Sequence, residues 1–103
     1  LSEVQEINRL AGSFLQDQKS WIFMPKQVEF FVSNDGKNFK SIGVMNNTIS
    51  QETEEPVLHE FSFDKKLSAR YIKMVAKKID ACPDWHVGAG EPGWIFCDEI
   101  VIE

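Results

Sequence analysis

Apolar residues in this chain recur at every second position, in short runs divided by turn residues. That period suits strands, whose side chains point alternately to two faces. Gln27 to Ser33 puts Val28, Phe30 and Val32 on one face. Val57 to Phe63 does the same with His59, Phe61 and Phe63. Ala69 to Lys78 is the clearest strand: Ile72, Met74 and Ala76 face one way, Lys73 and Lys77 the other beside Tyr71 and Val75. Phe39 to Val44 returns after Asn34-Asp35-Gly36-Lys37-Asn38, a tight turn whose Asn and Gly tolerate positive φ, so the two runs make a hairpin. Leu1 to Leu15 reads two ways. Val4, Ile7, Leu10 and Ala11 have helical spacing, while Leu10, Gly12 and Phe14 share a strand face; Gly12 and the run Ser13-Phe14-Leu15 favour a strand. Turns are expected at Asp17–Ser20 and Asp64-Lys65-Lys66, and a solvated acidic loop with Glu52, Glu54 and Glu55 at Met45–Pro56. Trp21-Ile22-Phe23-Met24 is apolar and stops at Pro25. About six strands, evenly spaced turns and no convincing helix make an all-β chain, an antiparallel β-sandwich.

Length and composition agree. One hundred and three residues make one domain, and 43% hydrophobic residues can supply one core. Eight phenylalanines and three tryptophans favour sheets. Sixteen acidic residues against eleven basic ones leave a net charge of −5, which argues against nucleic acid as a partner, because phosphate binding needs a basic face. No apolar run is long enough to span a bilayer and no signal peptide is evident. The acidic balance and the lack of a basic apolar spike argue against an anionic membrane as a partner. The chain opens on Leu1 without an initiating methionine, as expected of a segment of something larger.

Chemistry concentrates in one stretch, Cys82-Pro83-Asp84-Trp85-His86-Val87-Gly88-Ala89-Gly90-Glu91-Pro92-Gly93-Trp94-Ile95-Phe96-Cys97-Asp98-Glu99-Ile100. Prolines and glycines make Ile79–Gly93 a long loop; alternation makes Trp94–Ile102 a closing strand. Glycine lets backbone approach closely, and tryptophan offers a broad apolar face with one donor. That combination suits a sugar-binding loop or a plug packed on a neighbouring domain.

The run Trp21–Pro25, followed by Val28-Glu29-Phe30-Phe31-Val32-Ser33-Asn34-Asp35-Gly36-Lys37-Asn38-Phe39, resembles the middle of a discoidin domain, also called the coagulation factor five/eight type C domain. Ala69-Arg70-Tyr71-Ile72-Lys73 resembles that family's ARYIR strand, and Asp98-Glu99-Ile100 its last strand. The resemblance implies a galactose-binding-like jelly roll, with the earliest strands of a complete domain outside this chain. An exposed sheet edge or a swapped dimer would follow. Cys82-Pro83-Asp84-Trp85-His86, the Gly88 and Gly90 pair and Trp94-x-Phe96-x-Asp98-Glu99-Ile100 look like the C-terminal end of bacterial family-20 glycoside hydrolases, with Phe14-Leu15-Gln16-Asp17 fitting the same group. Those are β-N-acetylhexosaminidases carrying a discoidin-like domain after the catalytic barrel. The resemblance implies a non-catalytic accessory domain of a periplasmic or extracellular parent, bracing the barrel or contacting N-acetylhexosamine- or galactose-containing glycans.

Site residues follow from both readings. Trp85, His86 and Trp94 are the candidates for stacking on a pyranose or docking on a neighbour, with Asp17 and Lys19 arriving from an earlier loop. Carbohydrate modules of this kind often carry an Arg/Asn pair in that loop; here it reads Gln16-Asp17-Gln18-Lys19 and the pair is absent. Both tryptophans packing onto the sandwich itself is the plainer alternative. A protein-interaction module is a further one. Asp98 and Glu99 are adjacent in a strand, so they cannot flank one glycosidic bond, and no catalytic residue is assigned. By motif Glu99 stands where relatives hold a structural calcium, whose remaining ligands lie in early strands; no other cofactor is implied. Cys82 and Cys97 can close a loop worth about 3 kcal/mol as a disulfide, or stay free thiols, which is the expectation here. His59 is expected to be a strand residue with a hydrogen-bond partner.

Overall fold

A computed structural model describes residues 3–103; Leu1 and Ser2, which begin the first expected strand, lie outside the described residues. Six strands follow in order: β1 Gln5–Gln16, β2 Gln27–Ser33, β3 Lys40–Asn46, β4 Val57–Ala69, β5 Tyr71–Lys77 and β6 Phe96–Ile102, with a short 3-10 turn at Gln18–Ser20. They form two antiparallel three-stranded sheets, β4-β1-β6 and β3-β2-β5. The expected sandwich is therefore present, and the first run resolves as a strand from Gln5 to Gln16.

The layers meet through the alternating faces. Ile7, Leu10 and Phe14 of β1, Val28 and Phe30 of β2 and Phe61 of β4 are buried together with Met24, and Ile72, Met74 and Ala76 of β5 pack against them. Phe14 meets Phe61 edge-on at 5.7 Å, and Phe30 meets Phe63 at 6.2 Å. Glycines allow close approach between the layers: a Cβ on Gly12 would sit 2.7 Å from the Met74 sulfur, and one on Gly43 would sit closer still to the Phe63 ring. Gln16, fully buried at the end of β1, donates to the Ser50 carbonyl at 2.8 Å and accepts from the Met24 N–H, tying the acidic loop to the sandwich.

Several boundaries differ from the sequence expectation. Asp64-Lys65-Lys66 is not a turn. β4 runs straight through it, because β1 opposite is long enough to keep pairing to Ala69, and a bulge opposite Ile7–Arg9 absorbs the extra residue. The chain turns instead at Arg70, between β4 and β5. Trp94 stands outside β6 in a parallel bridge to Ile22. His59 packs edge-on against Phe61 at 4.9 Å, so its partner is an aromatic ring rather than the expected hydrogen bond.

The strand directions give the body two ends. At one, β1 finishes beside Val57 and Phe96, and the loops following β1, β3 and β5 gather. At the other lie the β2–β3 turn, Arg70 and Glu103, whose main chain pairs with Asn8 and Arg9. The β6 edge is thinly covered: Ile100 remains 53% and Ile102 42% exposed, on the side that looks towards the second sheet.

Candidate functional site

The loop end is built around a small second core. Phe23, Ile79 and Cys82 are buried together, with Trp21 against them. The Ile79–Ile95 segment has no strand of its own and closes on itself through backbone bonds. Cys82 N–H donates to Glu91 O at 2.8 Å, Gly90 N–H to Cys82 O at 3.2 Å and Ala89 N–H to His86 O at 3.0 Å. Trp21 adopts a left-handed φ of 64° at the end of the 3-10 turn and presents its ring to Gly88. A Cβ on Gly88 would meet that ring at 2.8 Å, which is why glycine stands there.

His86 locks this arrangement. It is only 6% exposed and sits edge-on to Trp21, Phe23 and Trp85. Gly88 N–H donates to Nδ1 at 2.9 Å. Nδ1 is thus the acceptor, and Nε2 carries the proton it donates to the Gln18 carbonyl at 2.6 Å. Both ring nitrogens are consumed inside the protein, so His86 does not reach a ligand as expected. It fastens the late loop to the Gln18–Ser20 turn.

The two tryptophans flanking it behave otherwise. Trp94 is 68% exposed and Trp85 46%, and Val87 beside them is nearly fully exposed. Their backbone is nevertheless fixed: Trp94 N–H donates to Trp21 O at 2.7 Å, and Trp94 O accepts from Phe23 N–H at 2.9 Å. Asp17 bridges Ile22, and Ile22 bridges Trp94, so three short segments lie side by side and bring Asp17 near the Trp94 backbone. The Asp17 carboxylate accepts from the Ser20 hydroxyl at 3.1 Å, and Lys19 is exposed on the same turn. Of the five expected residues, Asp17, Lys19 and Trp94 stand on segments linked through Ile22, Trp85 packs on the His86 ring, and His86 itself is buried. Sequence reading missed Trp21 and Gln18, the supports for His86; only the apolar run after the turn pointed to the first, and nothing to the second.

Glu99 stands exposed on β6. Among the described residues no three His, Cys, Asp or Glu side chains converge on a point, while calcium takes about six to eight oxygens. Asp98 and Glu99 are both exposed, on either side of the β6 irregularity opposite Ser13 and Phe14. Cys82 is a buried free thiol and Cys97 an exposed one; partial burial pushes the Cys97 thiol above its ordinary range.

The Ser-x-Asp-Gly turn between β2 and β3 is internally satisfied. Ser33 Oγ accepts from Gly36 N–H at 2.9 Å and donates to Asp35. Asp35 accepts from the N–H groups of Lys37 and Asn38, each at 2.8 Å, and from the Asn38 amide. These bonds, those of the Asn38 and Lys37 backbone foremost, hold its carboxyl far below the usual carboxylate range. Gly36 has a φ of +76° and lies under the Tyr71 ring, while Lys73 stands between Phe31 and Phe39 at 4.7 and 4.8 Å. The signature residues thus build a turn and its cover.

No curated protein matches the chain. The F5/8 type C domain family model matches residues 1–99. Domains of that family are non-catalytic modules that bind carbohydrate or protein. With two antiparallel sheets, the Ser33–Phe39 turn and a match over nearly its whole length, the chain belongs to the F5/8 type C, or discoidin, domain family.

Proposed function

We propose that this discoidin domain is the accessory domain of a secreted bacterial β-N-acetylhexosaminidase, and that its Trp85–Trp94 face braces it against the catalytic barrel of the same parent chain. One observation carries the reading: two exposed indoles and Val87 stand on a loop tied by backbone bonds at Cys82, His86, Ala89, Gly90, Glu91 and Trp94 and buried on its underside at Cys82 and His86. A rigid apolar surface of this kind is unfavourable in water and marks a contact face. The kinship of the Cys82–Ile100 motif to the ends of family-20 enzymes supports the choice of parent.

The face has a second use, in contact with glycan. The parallel bridge that sets Trp94 beside Ile22, itself bridged to Asp17, favours it, since an exposed indole on a fixed backbone, with a carboxylate, a hydroxyl and Lys19 on the linked turn, has the elements of a pyranose platform.

Two measurements separate these readings. In the full-length enzyme, Trp85→Ala lowers Tm by about 2–4 °C if the ring is buried against the barrel. The same substitution in the 103-residue chain, where the ring packs on His86 without a barrel, costs less stability. Equal melting of mutant and parent enzyme sinks the bracing role. Calorimetry of the chain with N-acetylglucosamine, galactose and N-acetylgalactosamine oligomers tests the glycan role; no heat at millimolar ligand removes it. A parent reading frame without a barrel and its Asp–Glu pair upstream of Leu1 overturns the assignment of the enzyme.

A further inference from the structure

The opposite end of the sandwich holds a cleft that the tryptophan face does not use. It opens between the edge strands β3 and β4, has a volume of about 380 Å³, and has a floor of Val32, Ile42 and Leu67. Its rim is polar: Ser33, Asn34, Asn38, Ser41 and Ser68, with Lys40 and Lys65. No acidic side chain lines it, in a chain whose net charge is −5.

The lysines are uncommitted. Arg9, Lys26 and Lys66 each pair with a carboxylate, whereas Lys40 and Lys65 have none within 4.0 Å among the described residues. The β4 bulge accounts for the difference. It spreads Asp64, Lys65 and Lys66 in separate directions, with Asp64 towards Arg9, Lys66 towards Glu6 and Lys65 at the cleft. The nearest acids are occupied: Asp35 by its own turn, and Glu29 by the Ser41 hydroxyl at 2.6 Å.

We infer that this cleft binds a pyranose carrying a carboxylate or sulfate group. Three aliphatic side chains suit the apolar face of a sugar ring, and the Asn34 amide and Ser68 hydroxyl suit its hydroxyl groups, while Ser33, Asn38 and Ser41 are held by Asp35 and Glu29. The two ammonium groups supply the charge that a neutral sugar would leave unpaired, and an ammonium binds carboxylate or sulfate as a point charge. The volume falls within the range of small-ligand sites, towards its lower end, and fits one or two sugar units. The inference is independent of the tryptophan face.

Calorimetry and amide chemical-shift mapping on the 103-residue chain test it, with glucuronic acid, N-acetylglucosamine 6-sulfate, galactose and inorganic sulfate as probes. Expected are binding of the two anionic sugars and shifts centred on Val32–Ile42 and Lys65–Ser68. The Lys40→Gln/Lys65→Gln double variant, unchanged in Tm because both side chains are exposed, binds them at least tenfold more weakly, and Trp94→Ala binds them as the parent chain does. No binding at millimolar probe overturns the proposal. So does equal binding of inorganic sulfate, which makes the cleft an anion site only, or equal binding of galactose. Anionic-sugar binding that Trp94→Ala abolishes would place the ligand at the other end, and also overturns it.

Discussion

Removing the His86 ring leaves the Gly88 N–H without a partner, takes one of two donors from the Gln18 carbonyl, which keeps the Trp21 N–H at 3.1 Å, and opens a gap among Trp21, Phe23 and Trp85. Each unpaired buried group costs about 1–3 kcal/mol. His86→Ala should therefore lower stability by about 2–4 kcal/mol, read as a fall in the urea midpoint at constant slope. A midpoint unchanged within error would show that the loop does not depend on the ring. At this scale the sequence was least legible. Trp85, His86 and Trp94 share one loop with no period to sort buried from exposed, and composition alone grouped them. What separates them is a backbone turn that returns Gly88 beneath the imidazole and presents Gln18 from a segment 68 positions away.

Among the elements, the Ser33–Asn38 turn carries the plainest pH dependence. The Asp35 carboxyl is held below its ordinary value by the Asn38 and Lys37 N–H groups, so the folded state binds that proton less readily than the unfolded state. Its contribution is fully present above the unfolded value near pH 3.9 and is lost as pH falls from there towards the depressed folded value. Asp35→Asn should flatten the stability profile below about pH 4 and lower stability at pH 7, as followed by urea titrations at several pH values. A mutant profile parallel to the parent's would count against the turn. This element was readable in advance, because Asn, Asp and Gly act through neighbours within the same few residues. The strands on either side were readable for a related reason: Val28, Phe30 and Val32 report burial directly through their spacing. Asp64-Lys65-Lys66 misled, because three charged residues look like a turn unless one knows that β1 lies opposite for its full length and keeps the pairing intact.

For the whole molecule, the β6 edge governs behaviour in solution. Among the described residues its outer backbone edge is unpaired, and Ile100, Ile102 and Phe96 are exposed along it. Such edges template pairing with other chains, and an inward-pointing charge is the usual protection. Ile100→Lys should suppress concentration-dependent association in sedimentation or light scattering, with a stability change within about 1 kcal/mol. Association unaltered by the substitution would place its source elsewhere. The two-layer plan was legible because strand count and turn spacing already demanded it. The uncovered edge was anticipated only through family likeness, since which strand lies outermost depends on pairing between residues as distant as Leu10 and Ile102. That same pairing fixes how the domain responds to being pulled. β1 begins and β6 ends side by side, and they run in opposite directions. Tension between Gln5 and Glu103 therefore falls on one rung at a time, as in a zip fastener opened from its free end. A tether attached through these two points will yield by peeling away β6, long before the sheets slide past each other.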